Sequence, residues 1–340
     1  MTNERVSMER HTLSRSHFVR TVSSLAAGVV AAPLTARAAA PSTLNFAFAY
    51  TVPTTLVLKE KGWLEAALKS RGIGVNWILS LGSNKTLEFL RSRSADFGSA
   101  AASAGLLGRA NGAPVKLLYF NLRGESTGLL VREDSPLKTI ADLKGKKIAA
   151  TRGTEPYIFT LRALDKNGIS ANEVEIVPLQ HPDGRAALET GRVDAWAGLD
   201  PDLSEVLVHK RARFLYRDTS LITGGGLFGR EEFINDYPDI TALVLRESDR
   251  ARAYIHEHAA ETVALYAKSS HLDPAIARAI LARGDIDHPA IERADYTRIA
   301  GAGPILKTSG AIPNDVDIEK TTNELLAPAV YANASRGKTA

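Results

Sequence analysis

Two stretches of the chain repeat one local plan. In each, a strand-length apolar run ends in a glycine-bearing turn, a helix opens directly after it, and an acidic residue then starts a further short strand. The first reads Trp77-Ile-Leu-Ser-Leu-Gly82-Ser83-Asn84, a helical stretch, and Ala95-Asp96-Phe97-Gly98. The second reads Ile148-Ala-Ala-Thr-Arg152-Gly153-Thr154, a helical stretch, and Gly191-Arg-Val-Asp194-Ala195-Trp196. Strand-length runs alternating with 3.6-period segments predict α/β construction with largely parallel sheets. The repetition predicts two lobes, and a length of 340 residues suits two, because single domains usually run ~100–200 residues.

The first lobe is expected to hold strands at Leu44–Tyr50, Val75–Ser80, Asp96–Ser99 and Val115–Asn121, with helices at Pro53–Ser70 and Asn84–Arg93. The second set comprises strands at Leu129–Arg132, Lys147–Ala150, Glu175–Pro178, Val193–Ala197 and Arg213–Tyr216, with helices near Pro156–Asn167 and Gly184–Thr190. From Glu231 strands nearly vanish, and helices such as Ile240–Ala267, Pro274–Arg283 and Ile291–Ile299 are expected to return to the first lobe and cover it.

Residues 1–38 read as a targeting segment. Arg5, Arg10, Arg15 and Arg20 lead into the weakly apolar run Val22–Leu34 and then Ala36-Arg37-Ala38, with cleavage expected after Ala38. Ser14-Arg15-Ser16-His17-Phe18-Val19-Arg20 resembles a twin-arginine export signal with its second arginine replaced by serine, so either export route fits. The segment carries five Arg against two Glu, which account for +3 of the formal charge of +4. Beyond it no cluster of basic and aromatic residues remains, so nucleic acid is not an expected partner. The absence of cysteine excludes disulfides, thiolate metal sites, thiol nucleophiles and a lipidated cysteine anchor. A freely diffusing, monomeric periplasmic protein is the expectation.

The repeated turns carry the chemistry. Backbone N–H groups at a helix start lack intrahelical partners, and the helix dipole adds positive potential there, so an anion can bind without lysine or arginine. Gly82-Ser83-Asn84 and Gly153-Thr154 add permissive backbone with hydroxyl and amide donors. The same side chains also suit ordinary helix capping, and the two roles are compatible. Tyr50, Tyr157 and Trp196, near the same turns, are candidates to face the organic part of a ligand.

Several segments together then suggest a family: Leu137-Lys-Thr-Ile-Ala-Asp142-Leu143-Lys144-Gly145-Lys146-Lys147-Ile148-Ala149, Gly153-Thr154, Leu161-Arg162-Ala163-Leu164 and Val193-Asp194-Ala195-Trp196. In them the chain resembles the periplasmic aliphatic-sulfonate-binding proteins of ABC importers, with their taurine- and nitrate-binding relatives, from about Leu44 to Pro313. The resemblance implies a type II periplasmic-binding-protein fold: two doubly wound α/β lobes, two crossovers and a ligand cleft that closes by hinge motion. The lobes would span 41–126 with 225–333, and 127–224, with crossovers near Asn121–Thr127 and Ser220–Gly226. It implies ligand contacts from Tyr50, Thr51, Thr54, Gly82, Ser83, Ala102 and Ser103 in one lobe, and from Gly153, Thr154, Tyr157 and Trp196 in the other. The implied ligand is a small organic anion, an alkyl or aryl sulfonate or sulfate ester, delivered to permease subunits. Nitrate, an aromatic carboxylate or a pyrimidine is the alternative. Two departures bear on substrate: Ala102-Ser103 stands where many relatives have an acidic residue, which argues against amine recognition, and Glu155 stands beside the proposed anion turn.

Enzyme readings find little support, and neither cofactor nor metal is expected. Gly224-Gly225-Gly226-Leu227-Phe228-Gly229 formally matches a dinucleotide fingerprint but lacks the strand-to-helix context that gives it meaning, and reads better as a flexible hinge at the return crossover. His256 and His258 are two apart, so on a helix they diverge, and Asp96 and Asp194 read as strand-start residues rather than an acid/base pair. The thiamin-pyrimidine synthase type of enzyme resembles this fold but depends on a cysteine-bearing motif that is absent here.

Overall fold

A computed structural model describes residues 40–337. The expected leader and its cleavage site, residues 1–38, lie outside the described residues. Two mixed sheets organise the chain. The first contains β1 (Thr43–Phe48), β2 (Gly74–Leu79), β3 (Phe97–Ala101), β4 (Val115–Gly124), β10 (Gly225–Arg230) and β11 (Gly284–Asp285), in the order β11-β4-β10-β3-β1-β2. The second contains β5 (Thr127–Arg132), β6 (Lys147–Ala149), β7 (Glu175–Val177), β8 (Ala195–Leu199) and β9 (Ala212–Tyr216), in the order β7-β6-β8-β5-β9. The chain leaves the first sheet between Gly124 and Thr127 and returns between Tyr216 and Gly225.

Each sheet has parallel pairing on one side, β1 with β2 and β3, or β6 with β7 and β8. Each also has antiparallel pairing on the other side, where β10 and β4 in the first sheet and β5 in the second run antiparallel to both their neighbours. The repeated acidic residues play one role in both. Asp96 Oδ2 accepts the Asn45 N–H at 2.8 Å, and Asp194 Oδ2 accepts the Lys147 N–H at 2.9 Å. Each carboxylate thereby satisfies a donor at the entrance of the adjoining strand, which explains the echo in physical terms.

Helices cover the sheets. On the first lie α1 (Pro53–Glu60), α2 (Trp63–Lys69), α3 (Ser83–Arg91) and α4 (Ala102–Ala110); on the second lie α5 (Glu155–Lys166), α6 (His181–Glu189) and α7 (Asp202–Val208). The rest of the chain is α8 (Glu231–Asp236), α9 (Pro238–Glu257), α10 (Ala259–Ser270), α11 (Pro274–Arg283), α12 (Arg293–Ala300), α13 (Gly303–Thr308), α14 (Ile318–Leu325) and α15 (Pro328–Arg336). This tail packs largely on the first sheet, with α15 against β4 and α9, and α14 against α4. Its α13 departs from the expectation and packs on α5 of the second lobe.

Three further features differ from the sequence reading. The single helix expected over Pro53–Ser70 breaks at Gly62, whose φ of 63° ends one helix and opens the next. The helix expected over Ile240–Ala267 is interrupted at His258, with φ −130° and ψ 49°. The glycine run expected as a hinge is a central strand instead: Gly225 and Gly226 pair with Ala101 and Ala100 of β3. A Cβ on Gly226 would stand 2.1 Å from Leu117 Cδ1 and 2.8 Å from the Tyr119 carbonyl oxygen, so the residue is small because the sheet is crowded there.

Candidate functional site

The first repeated turn is held from within its own lobe. Ser80 Oγ donates to the Gly82 carbonyl at 2.9 Å, and Thr86 Oγ1 lies 2.8 Å from both Ser80 Oγ and the Ser99 carbonyl. Ser83 Oγ accepts the Ala101 N–H at 2.9 Å, which ties α3 to the end of β3. Because that oxygen is accepting, the Ser83 hydroxyl hydrogen is left available to a guest.

The second turn approaches the first from the other lobe. Gly153, with φ of 77°, would place a Cβ 3.4 Å from Asn84 Cβ. A Cβ on Gly82 would stand 3.2 Å from His181 Nε2. Both glycines are therefore small where the lobes meet. His181 is buried, its Nδ1 lies 3.3 Å from Thr151 Oγ1, and its Nε2 has no partner among the described residues. Burial pushes its imidazole pKa down to about 4, so it is neutral at pH 7.

Between the lobes lies a cavity of about 50 Å³. Four helix N-termini reach it: Val52 before α1, Gly82 and Ser83 of α3, Ala101 before α4, and Glu155 and Pro156 of α5. Thr51, Ser99 and Ser126 add hydroxyls, and Gly224, Gly225, Leu122 and Leu199 complete much of the wall. Among the described residues no lysine or arginine lines it. Aligned peptide dipoles supply positive potential instead, although the first N–H groups of α4 are already paired, with Ser83 Oγ, the Gly224 carbonyl and Thr223 Oγ1.

One charge capable of opposing an anion is built into this wall. Glu155 is only 3% exposed, yet its carboxylate accepts from the Thr223 hydroxyl at 2.5 Å, the Thr223 N–H at 3.2 Å and the Ser103 hydroxyl at 3.2 Å. Burial pushes its pKa up to about 7, against those hydrogen bonds and the Arg162 guanidinium, which favour the charged form. Glu155 thus sits poised between its two protonation states at neutral pH.

The cavity gathers Thr51, Gly82 and Ser83 of the residues named from sequence, and Gly153 lies at the lobe contact beside it. Others lie elsewhere. Trp196 is 1% exposed and belongs to the core of the second lobe, its ring against Gly184, because residues of β8 alternate and this one faces α6. Tyr157 packs in the core and borders a separate groove with Arg152. Thr154 is buried and donates to the Thr151 carbonyl at 2.6 Å, so its hydroxyl closes the turn. Ala102 and Ser103 are buried behind the cavity, with their N–H groups on the Gly224 carbonyl and Thr223 Oγ1. Tyr50 joins a peripheral aromatic cluster and its carbonyl accepts from Tyr266. Thr54 is buried, and its hydroxyl has no partner among the described residues. Sequence reasoning missed Ala49, Val52, Ser99, Ser126, Leu199 and the Gly224-Gly225 wall. Only the glycine pair carried a visible signal, and it pointed to a hinge.

Residues 53–262 match the NMT1/THI5-like family. The chain belongs to that family. A Bacillus subtilis (strain 168) protein named for aliphatic sulfonate binding is 33% identical to this family member over 66% of this chain and 69% of its own length. An Escherichia coli (strain K12) protein of the same name is 31% identical over 58% of this chain and 63% of its own length. Among solved structures, the alkanesulfonate-binding protein of Xanthomonas axonopodis pv. citri, bound to MOPS, superposes with a TM-score of 0.77 at 25% identity, covering 84% of this chain and 99% of that one. The periplasmic aliphatic sulphonate-binding protein of Escherichia coli superposes with a TM-score of 0.72 at 25% identity, over 85% and 93%. The fold is therefore that of the periplasmic binding proteins. A desulfurization enzyme shares the fold with a TM-score of 0.62 at 18% identity, over 87% and 99%, so the fold by itself does not separate binding from catalysis.

Proposed function

We propose that this chain is the periplasmic ligand-capturing component of an ABC importer, and that its ligand is a small alkyl or aryl sulfonate or sulfate ester held between two lobes, 41–126 with 225–333 and 127–224. The observation that carries the reading is the convergence of four helix N-termini on one interlobe cavity that has no cationic side chain among the described residues. A sulfonate is permanently ionised, so neutral donors suffice to fix its shape, and its three oxygens suit several converging N–H and O–H groups. The names of the relatives point the same way. Binding rather than catalysis is supported by these relatives, each named for binding a sulfonate.

The test is calorimetry and thermal shift with methanesulfonate, longer sulfonates, taurine, aryl sulfates, nitrate and aromatic carboxylates. A sulfonate that binds saturably and raises the melting temperature by mass action supports the proposal. The small volume of the cavity, about 50 Å³, is the feature that favours a smaller guest such as nitrate. A response to nitrate or to a carboxylate, with none to any sulfur compound, would replace the sulfonate reading.

A further inference from the structure

Beside the interlobe cavity, on the first lobe, lies a larger chamber of about 580 Å³. Pro53, Leu122, Ile255, Val263, Ile280 and Leu281 give it an apolar wall. Within that wall the fully buried Thr262 hydroxyl has no partner among the described residues. The chamber and the cavity are related through neighbouring and shared lining residues. Val52 lines the cavity and Pro53, the next residue, lines the chamber. Leu122 lines both. Its Cβ lies 3.9 Å from where a Cβ on Gly225, in the cavity wall, would stand, and its Cδ1 lies 2.7 Å from the corresponding point on Gly284, in the chamber wall. The Leu122 side chain therefore borders both spaces.

We propose that this chamber receives the organic tail of the ligand whose anionic head occupies the interlobe cavity, with Leu122 as the gate between head and tail. The inference rests on the sulfonate reading and specifies the ligand class as sulfonates with an extended alkyl or aryl group. The cavity has room for a head group alone, so a tail must leave it. The neighbouring chamber is walled mainly by apolar side chains, with His256, Arg278 and Asp287 also in its lining, and falls in the size range of small-molecule pockets. Its apolar wall gives a tail something to gain: each methylene removed from water contributes about 0.8 kcal/mol, or roughly fourfold in affinity.

The experiment is titration calorimetry with methanesulfonate, butanesulfonate and octanesulfonate on the full chain and on two variants. Leu281→Asp places a charge in the chamber wall, and Ala260→Trp fills the chamber from an exposed rim position, so the test survives if the first variant fails to fold. Affinity of the unsubstituted protein should climb by up to about fourfold per methylene. In both variants that gain should collapse while methanesulfonate binds as before. Length-independent affinity, or a length gain untouched by either folded variant, overturns the chamber while leaving the sulfonate reading intact. Octanesulfonate that methanesulfonate cannot displace overturns it too, because the chamber would then be a separate site. Failure of every sulfonate to bind removes both.

Discussion

At the scale of single residues, Glu155 and Ser83 decide what the cavity accepts. The Glu155 carboxyl has its pKa raised to about 7 from an ordinary value near 4.5, so between those values the folded protein holds a proton that the unfolded chain releases. Stability is then fully present below about pH 4.5 and is lost as pH rises to about 7. Glu155→Gln should remove this slope, leaving the variant more stable at pH 8 by up to roughly 3 kcal/mol and little changed at pH 4; parallel urea titrations at both pH values check it. A bound anion adds repulsion to the same carboxylate, so sulfonate affinity should fall from pH 6 to pH 8 in the parent protein and stay flat in Glu155→Gln. Ser83 and Thr154 looked equivalent in sequence, yet only Ser83 lines the cavity with a hydroxyl hydrogen to spare. Ser83→Ala should weaken sulfonate binding by about 1–3 kcal/mol. Thr154→Ala loses only the bond to Thr151 and should cost about 1 kcal/mol of stability with affinity unchanged; equal affinity losses in both variants would contradict this division.

At the scale of elements, what was legible depended on whether the signal was local. The strands and the two turns followed from alternation and from glycine placed after an apolar run, and these features lie within a few residues of one another. The side a strand residue faces is not local: Trp196 closes the second repeated stretch in sequence, but the pleat aims it at α6, away from the cleft. Ala102 and Ser103 lie behind the cavity for a similar reason: the strand expected over Asp96–Ser99 continues to Ala101 and presents Ala100 and Ala101 to the cavity. The glycine run was misread because local flexibility and tertiary crowding leave the same trace. Gly226→Ala tests the difference. In a hinge it would be nearly neutral, whereas a Cβ driven against Leu117 and the Tyr119 carbonyl should cost about 1–3 kcal/mol or more, measured by chemical denaturation.

At the scale of the whole molecule, the lobes are joined by more than the two crossovers. Arg283, at the end of α11 in the first lobe, places one guanidinium nitrogen 2.7 Å from each Asp200 oxygen and also bonds Ser204, both in the second lobe beyond β8. Asp200 is buried and Arg283 partly so, which makes this pair a clasp whose value depends on the lobes being together. Arg283→Ala would leave the buried Asp200 carboxylate uncompensated in the closed arrangement, where breaking such pairs costs about 3–5 kcal/mol. Opening lets water reach Asp200 and relieves much of that cost, so the population moves toward open forms rather than toward unfolding. Apparent affinity scales with the fraction of molecules that can close, and a tenfold or greater loss is expected, about 1.4 kcal/mol or more. Small-angle scattering without ligand should show a larger radius of gyration for Arg283→Ala, and saturating sulfonate should return it to the parent value. Identical radii and identical affinities would mean that the clasp contributes nothing to closure, and that the contacts around Gly82, Asn84, Gly153 and His181 hold the lobes together without it.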